Sequence, residues 1–338
     1  MTLVVYVGGY TSAAGSVGVY TLDLRSGALT STGTGAAGAN PSFLAVDPAK
    51  RRLYAVNEGG ASSTVTALAV DPGTGALTRL NTTVVGNGPA HVSVDRSGAW
   101  VLVANYGGGT VVVVPATDAG VGAVRDTKSP GQLAHQILTD ASNRYAFVPC
   151  KGSDLVAQYR FDADAGTLIP NTPAVLGTDA GAGPRHLALH PNGRFAYLIN
   201  ETNSTVTALS LGPAGTLTAL QTVSTLPASF TGANTGAEVV VHPSGRWLYA
   251  SNRGHDSIAQ FAIDQTAGTL SLVGHTPSGG QTPRCIALDP SGQVLLAANQ
   301  GSNRVTTFFL DGDAGVPTAT GQSVTFTSPS FVGVVALP

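Results

Sequence analysis

Apolar residues in this chain come in short runs broken by compact polar turns, and one run–turn–run figure recurs along its length. It reads NPSFLAVDPAKRRLYAVNEG at residues 40–59, then GPAHVSVDRSGAWVLVANYG at 88–107 and QLAHQILTDASNRYAFVPCKG at 132–152. It returns as GPRHLALHPNGRFAYLINET at 183–202, TGAEVVVHPSGRWLYASNRG at 235–254 and TPRCIALDPSGQVLLAANQG at 282–301. Each copy predicts a strand, a turn built on Asp or His with Pro or Ser-Gly, and a second strand ending near Asn. A third strand usually follows, as in STVTALAVD or DSIAQFAID, and Gly-x-Leu signals a fourth, as in TGALTRL or AGTLSLV. The helical pattern of apolar residues at i, i+3, i+4 and i+7 is missing. The chain is therefore read as all-β.

The repeat sets the architecture. Its period is 45 to 52 residues, counted between Ser42, Ala90, His135, Arg185, Ala237 and Arg284. A seventh copy, SPSFVGVVALP, supplies one strand at the C-terminus, and VVYVGGYTS, VGVYTLDL and GALTSTG supply the other three from the N-terminus. Pairing these halves closes a ring and leaves no open sheet edge. The expectation is a seven-bladed β-propeller of four-stranded blades, one domain over residues 1–338.

Three positions in each repeat form a fixed frame. The first follows the usual proline, the second comes next, and the third follows the usual asparagine, 16 residues after the first in all six uninterrupted copies. Antiparallel pairing of the first two strands brings the start of one beside the end of the other, so all three positions are expected at one mouth of a central channel. The first position reads Ser42, Ala90, His135, Arg185, Ala237, Arg284, Ser330; the second Phe43, His91, Gln136, His186, Glu238, Cys285, Phe331. The third reads Glu58, Tyr106, Lys151, Glu201, Arg253, Gln300, with Tyr10 completing the ring. All three glutamates of the chain fall in this set. By contrast the asparagine position is uniform (Asn57, Asn105, Asn200, Asn252, Asn299), as a repeated turn requires. Positions that diverge while their neighbours stay constant are free of the recurring packing problem. They predict a pocket with an ionic wall from His135, Lys151, Arg185, Glu201, Glu238, Arg253 and Arg284, faced by Phe43, Ala90, Tyr106, Phe331 and Tyr10. Glu58, Gln300, His91 and His186 join the candidate binding residues, although strand alternation would turn His91 and His186 toward a neighbouring blade.

Bulk properties narrow the partners. Only 11% of the 338 residues are charged and the net charge is −2, so nothing favours nucleic acid. No apolar run reaches spanning length, and MTLVVYVGGYTS lacks the features of a signal peptide, which suggests a soluble, cytoplasmic chain. A closed ring needs no partner to protect its edges, so a monomer is expected. Cys150 and Cys285 are expected as free thiols. No histidine pair has zinc spacing, no GxSxG elbow exists, and GTGAAG at 33–38 precedes no helix. No metal or cofactor is expected. His190 and His242 stand where other copies have Asp and are read as turn residues, and His275 as ordinary surface. The NTT and NST sequons at Asn81 and Asn203 carry no weight in a cytoplasmic chain.

The segments AEVVVHPSGRWLYASNRGHDSIAQF, GPRHLALHPNGRFAYLINE and HVSVDRSGAWVLVANYGGGTVVV closely resemble the seven-bladed propeller lactonases. That family contains propeller-type 6-phosphogluconolactonases and carboxy-cis,cis-muconate lactonizing enzymes, and the resemblance covers essentially the whole chain. It implies a catalytic set at His135, Arg185, Glu201 and Arg253. Two departures stand beside that set: LAHQ, with Leu133, replaces the family's H-x-H-S, and PCKG, with Lys151, replaces PDLG. The resemblance therefore does not fix 6-phosphogluconolactone as the substrate.

The expected chemistry is metal-free hydrolysis of a small anionic lactone. Arg185 and Arg253 would offer forked donors to a substrate anion or to the developing oxyanion. His135 or Glu201 would deprotonate water. His135 is preferred, as a histidine near neutrality, because a glutamate between arginines is a weakened base. A rival reading is an intramolecular lyase or cycloisomerase on a muconate-type acid. Another is a non-catalytic propeller that binds a metabolite or a protein.

Overall fold

The computed structural model describes residues 2–11 and 15–338; Met1 and residues 12–14, of which Ser12 ends the N-terminal segment quoted above, lie outside them. Seven antiparallel sheets follow one another as blades. Blades 1 to 6 begin with the strands Pro41–Val46, Pro89–Val94, Leu138–Thr139, Pro184–Leu189, Thr235–Val241 and Pro283–Leu288. Blade 7 joins the C-terminal strand Pro329–Leu337 to Thr2–Gly9, Ser16–Leu22 and Leu29–Ala36, with Thr2 opposite Leu337. The expected closure of the ring by the two ends of the chain is present.

The core lies between blades, because strand alternation sends successive side chains to opposite faces of each sheet. In the strand Trp100–Asn105, Val101 and Val103 pack against blade 1, whereas Leu102 and Ala104 pack against blade 3. Seven such apolar clusters fill the seven interfaces, the last one joining blade 7 to blade 1 through Tyr6, Leu44, Leu53 and Leu337. The Gly-x-Leu signal has a packing cause. Gly166, Gly215 and Gly268, with Gly315 at the same place before Val-Pro, hold φ between 65° and 73° and lie against Trp100, Tyr145, Phe195 and Trp247 of the preceding blade. A Cβ at these sites would come within 2.0–2.6 Å of the rings.

Turn residues behave as their chemistry predicts. The Asp95 carboxylate accepts from the Trp100 and Ser97 N–H groups, and Asp289 from Val294 and Ser291. His190 and His242 take the same turn position, and each also reaches a carbonyl of the next blade, Gly245 O at 2.9 Å and Gly292 O at 3.0 Å. The uniform asparagines do more than build a turn. Asn57, Asn105, Asn252 and Asn299 each donate from Nδ2 to a carbonyl of the segment arriving from the previous blade (Ala37, Val85, Thr225 and Ser278). His275 departs from its surface reading: it is half-buried, with Nε2 2.9 Å from Thr225 O. Blade 2 departs from the four-strand pattern. Its outer strand is split into Gly120–Val121 and Asp126–Lys128, and the break falls opposite Pro115, which has no N–H to offer a partner.

Candidate active site

Every inner strand carries one extra residue at its start. Pro184 pairs with Asn200 and His186 with Ile199, leaving Arg185 unpaired, and the same skip occurs at Ser42, Ala90 and Arg284. Blades 5 and 7 have their irregularities at the equivalent place. A bulge re-aims side chains. Here it sets first- and second-position residues of several blades in two layers.

The upper layer encloses a cavity of ≈ 130 Å³ lined by Glu58, Ala90, Tyr106, His135, Glu201, Arg253 and Arg284. All seven belong to the first and third frame positions, and they come from six different blades. Glu201 is its electrostatic centre. Its Oε1 lies 2.6 Å from Lys151 Nζ, and its Oε2 lies 3.2 Å from Arg185 Nε and 3.1 Å from Arg253 Nη2. Burial works to raise the Glu201 pKa, but the two arginines and Lys151 outweigh it and hold the group at about 2. Opposite, Tyr10 donates to Glu58 at 2.6 Å and accepts from Arg284 Nη2 at 3.0 Å. Burial, only partly opposed by Arg284, raises Tyr10 to about 12, so it remains a hydroxyl. Arg284 has no carboxylate within ion-pair distance among the described residues.

Arg185 sits differently from its expected place. It is 3% exposed, does not line the cavity, and donates from Nη1 to the Ala237 carbonyl, backing Glu201 from behind. Burial lowers its pKa to about 10, which leaves it charged at neutral pH. Arg284 holds the cavity-facing place expected of Arg185. Gln300 is not drawn in either; its amide donates to Ser328 Oγ at 3.3 Å.

The lower layer is formed by second-position residues. Phe43, His91, His186 and Phe331 stack edge to face or tilted at centroid distances of 4.4–5.7 Å. His91 and His186 therefore turn to the axis and to each other, not merely into a neighbouring blade. Glu238 lies here as well, with Oε1 2.8 Å from His186 Nδ1, and His186 Nε2 is 3.2 Å from His135 Nδ1. Burial pushes Glu238 up to about 7. Burial, reinforced by Arg185, drives His135 and His186 well below the ordinary histidine range. His135 is thus a neutral imidazole, but not the unperturbed one expected from its residue type.

Every residue lining the cavity occupies a frame position, but Lys151, Arg185 and Glu238 of the expected ionic wall and Phe43, Phe331 and Tyr10 of the facing wall do not line it. The frame did not reveal the line from Glu238 through His186 to His135, although the neighbouring titratable residues of blades 3, 4 and 5 were its visible signal. A wider depression of ≈ 480 Å³ lies over blade 1, is lined largely by residues 57–64, and shares Glu58 with the cavity. Cys150 and Cys285 are buried free thiols. No helix among the described residues is long and apolar enough to cross a membrane.

The fold is thus a closed seven-bladed propeller, with a charged cavity lined from the starts of its first strands and the ends of its second strands. The chain belongs to the lactonase, 7-bladed beta-propeller family, whose pattern matches residues 4–334. It is similar over its whole length to the periplasmic gluconolactonase PpgL of Pseudomonas aeruginosa, at 30% identity and a TM-score of 0.90, with 100% of each chain covered. It is 37% identical over 165 residues to the 6-phosphogluconolactonase of Sodalis glossinidius (48% of this chain, 50% of that protein). The 6-phosphogluconolactonase of Pectobacterium carotovorum is 38% identical over 145 residues, 43% of each chain. The matched stretches span about half the length of these curated relatives or less. A cytoplasmic location does not follow from family membership, since the Pseudomonas protein is named as periplasmic.

Proposed function

We propose that this chain hydrolyses small anionic lactones in the ≈ 130 Å³ cavity, at one mouth of the central channel. One observation carries the reading: His135, Glu201, Arg253 and Arg284 line a single cavity. Two cations, Arg253 and Arg284, line it, and two more, Lys151 and Arg185, hold Glu201 from outside its wall, against the carboxylates of Glu201 and Glu58. This surplus suits an anionic ligand in a chain whose net charge is negative. The family and the named activities of the relatives agree with it.

In this reading Arg253 and Arg284 receive the substrate's acid group and the oxyanion that grows at the lactone carbonyl. Glu201, ionised and pinned by its three cations, orients the attacking water. His135, neutral and facing the same cavity, takes that proton. Water activation is assigned to side chains, and no metal is invoked.

The test is a pH-indicator hydrolysis assay over gluconolactone, 6-phosphogluconolactone, muconolactones and simple γ- and δ-lactones. Arg253→Ala serves as the control, its fold checked by circular dichroism. Turnover by the wild type with a loss of at least about 100-fold in the variant is expected. Equal activity in the two proteins would remove the cavity from the reaction, and no turnover on any lactone would refute the hydrolase reading.

A further inference from the structure

The cavity explains His135 but not the two buried polar groups behind it. Glu238 is 7% exposed and His186 1% exposed, and neither lines the cavity. A buried carboxyl and a buried imidazole are costly unless paired, and a stack of apolar side chains would fill this layer at less cost. Their arrangement is directional. Glu238 Oε1 meets Nδ1 of His186, and Nε2 of His186 meets Nδ1 of His135. Each of the three comes from a different blade, so the line crosses two blade interfaces.

We propose that Glu238, His186 and His135 form a proton relay in which Glu238 is the store and His135 the delivery point. This rests on His135 being the group that accepts water's proton in the lactonase reading above. In the resting state Glu238 is ionised, His186 donates to it from Nδ1–H, and His135 donates from Nδ1–H to Nε2 of His186. His135 Nε2 then carries a lone pair toward the site. When water adds to the lactone carbonyl carbon, its proton goes to His135 Nε2 and its oxygen forms the new C–O bond. The Nδ1 proton of His135 passes to His186, and the Nδ1 proton of His186 passes to Glu238. The negative charge has moved from Glu238 to the tetrahedral oxyanion, and no imidazolium has formed. Collapse of the oxyanion breaks the ring C–O bond, and the departing oxygen takes the proton back from His135 Nε2 as the line runs in reverse. The product is the ring-opened hydroxy acid, and Glu238 is again a carboxylate.

The surroundings support such a device. Arg185 and Arg284 both oppose charging of His135, so an imidazolium intermediate is disfavoured at this place. Glu238, pushed to about 7 by burial, can exist in either form near neutral pH. The groups that face it are the His186 ring, the Val239 N–H, Arg185, His91 and the Cys285 thiol. Around His186 stand Arg185, Arg284, Arg253 and Glu201, and the Tyr106 ring packs on His135. Such a coupled line titrates as a unit. Glu238 and His186 are positioning residues in this account; His135 alone meets the reactants.

The chain's three glutamates and seven histidines make the test direct. The wild-type protein, labelled with ¹³C at Glu carboxyls and ¹⁵N at His rings, is titrated by NMR from pH 5.5 to 8.5. One carboxyl is expected to titrate near pH 7 while two histidines switch together from Nδ1–H to Nε2–H as pH falls, neither becoming doubly protonated. Two imidazolium signals, or a carboxyl that titrates while both tautomers stay fixed, would overturn the relay without reference to activity. On the best substrate, wild-type kcat/KM should fall below about pH 7, where the relay is already full. Glu238→Gln should lose about 10- to 100-fold and the acid limb with it, and Glu238→Asp should restore part of both. Turnover with an unchanged pH profile in Glu238→Gln would refute the relay and leave the lactonase reading intact. Coupled NMR signals in a protein that opens no lactone would do the reverse.

Discussion

Glu201→Gln removes the one carboxylate shared by Lys151, Arg185 and Arg253, and the consequence for stability follows from the geometry. The side chain keeps its volume and can still accept hydrogen bonds, but three cations lose their counter-charge, and the side chain of Arg185 is only 3% exposed. Glu201 is held at about 2 against its ordinary 4.5, a gap that corresponds to about 3 kcal/mol of folding free energy at neutral pH. Breaking a buried pair by removing one partner costs about 3–5 kcal/mol in general, so the two routes agree. For a chain of 338 residues the unfolding entropy translates this into a fall of about 4 °C in Tm. The folded-state pKa is depressed, so the contribution is complete above the unfolded value and is lost as pH falls toward about 2. The gap between wild type and variant should therefore narrow to about 2 kcal/mol at pH 3.5. Calorimetry of both proteins at pH 7 and 3.5, in a buffer free of phosphate and sulfate, measures it. Adding phosphate at pH 7 should raise the variant's Tm more than the wild type's, since the anion replaces the missing charge. A variant that melts within about 1 °C of wild type at pH 7 would refute the claim that Glu201 neutralises this cluster.

Two further outcomes follow from the same structure. Arg284→Ala deletes the cavity cation that has no carboxylate partner among the described residues, so under the proposed function steady-state kinetics should show KM rising about 10- to 100-fold with a smaller change in kcat, the loss of a charge-assisted hydrogen bond to substrate. Gly268→Ala places a Cβ 2.4 Å from the Phe195 ring at a φ of +73°, which should cost about 1–3 kcal/mol in urea unfolding while leaving KM unchanged, because the site is distant.

The architecture was legible because its causes are local and repeated. The constant spacing of 16 residues is the distance between the bulged residue and the residue after the asparagine, and the observed pairs Pro41–Asn57, Pro89–Asn105 and Pro184–Asn200 fix that frame. Charge divergence at the frame positions then located the cavity wall. The bulge itself left no signal in one sequence. Without it, strict alternation sends His186 and Glu238 between blades, and with it they stand in line behind His135. Arg185 and Arg284 hold the same frame position and were both expected in the ionic wall, and the backbone carbonyl that holds Arg185 back, Ala237 O, has no signature in the sequence. The split outer strand of blade 2 follows from Pro115, whose consequence for a neighbouring strand is visible only once that neighbour is paired.

Six blades each contribute to a cavity of ≈ 130 Å³, and Tyr10 of the seventh bridges Glu58 and Arg284. The site is thus strung around a hoop whose clasp is the pairing of Thr2–Gly9 with Pro329–Leu337. Slack at the clasp would be shared out as a fraction of an ångström at every blade interface, and the opposed groups across the cavity would drift apart together. Geometry good enough for chemistry is in this sense a property of tension around the whole circumference, and no subset of blades possesses it.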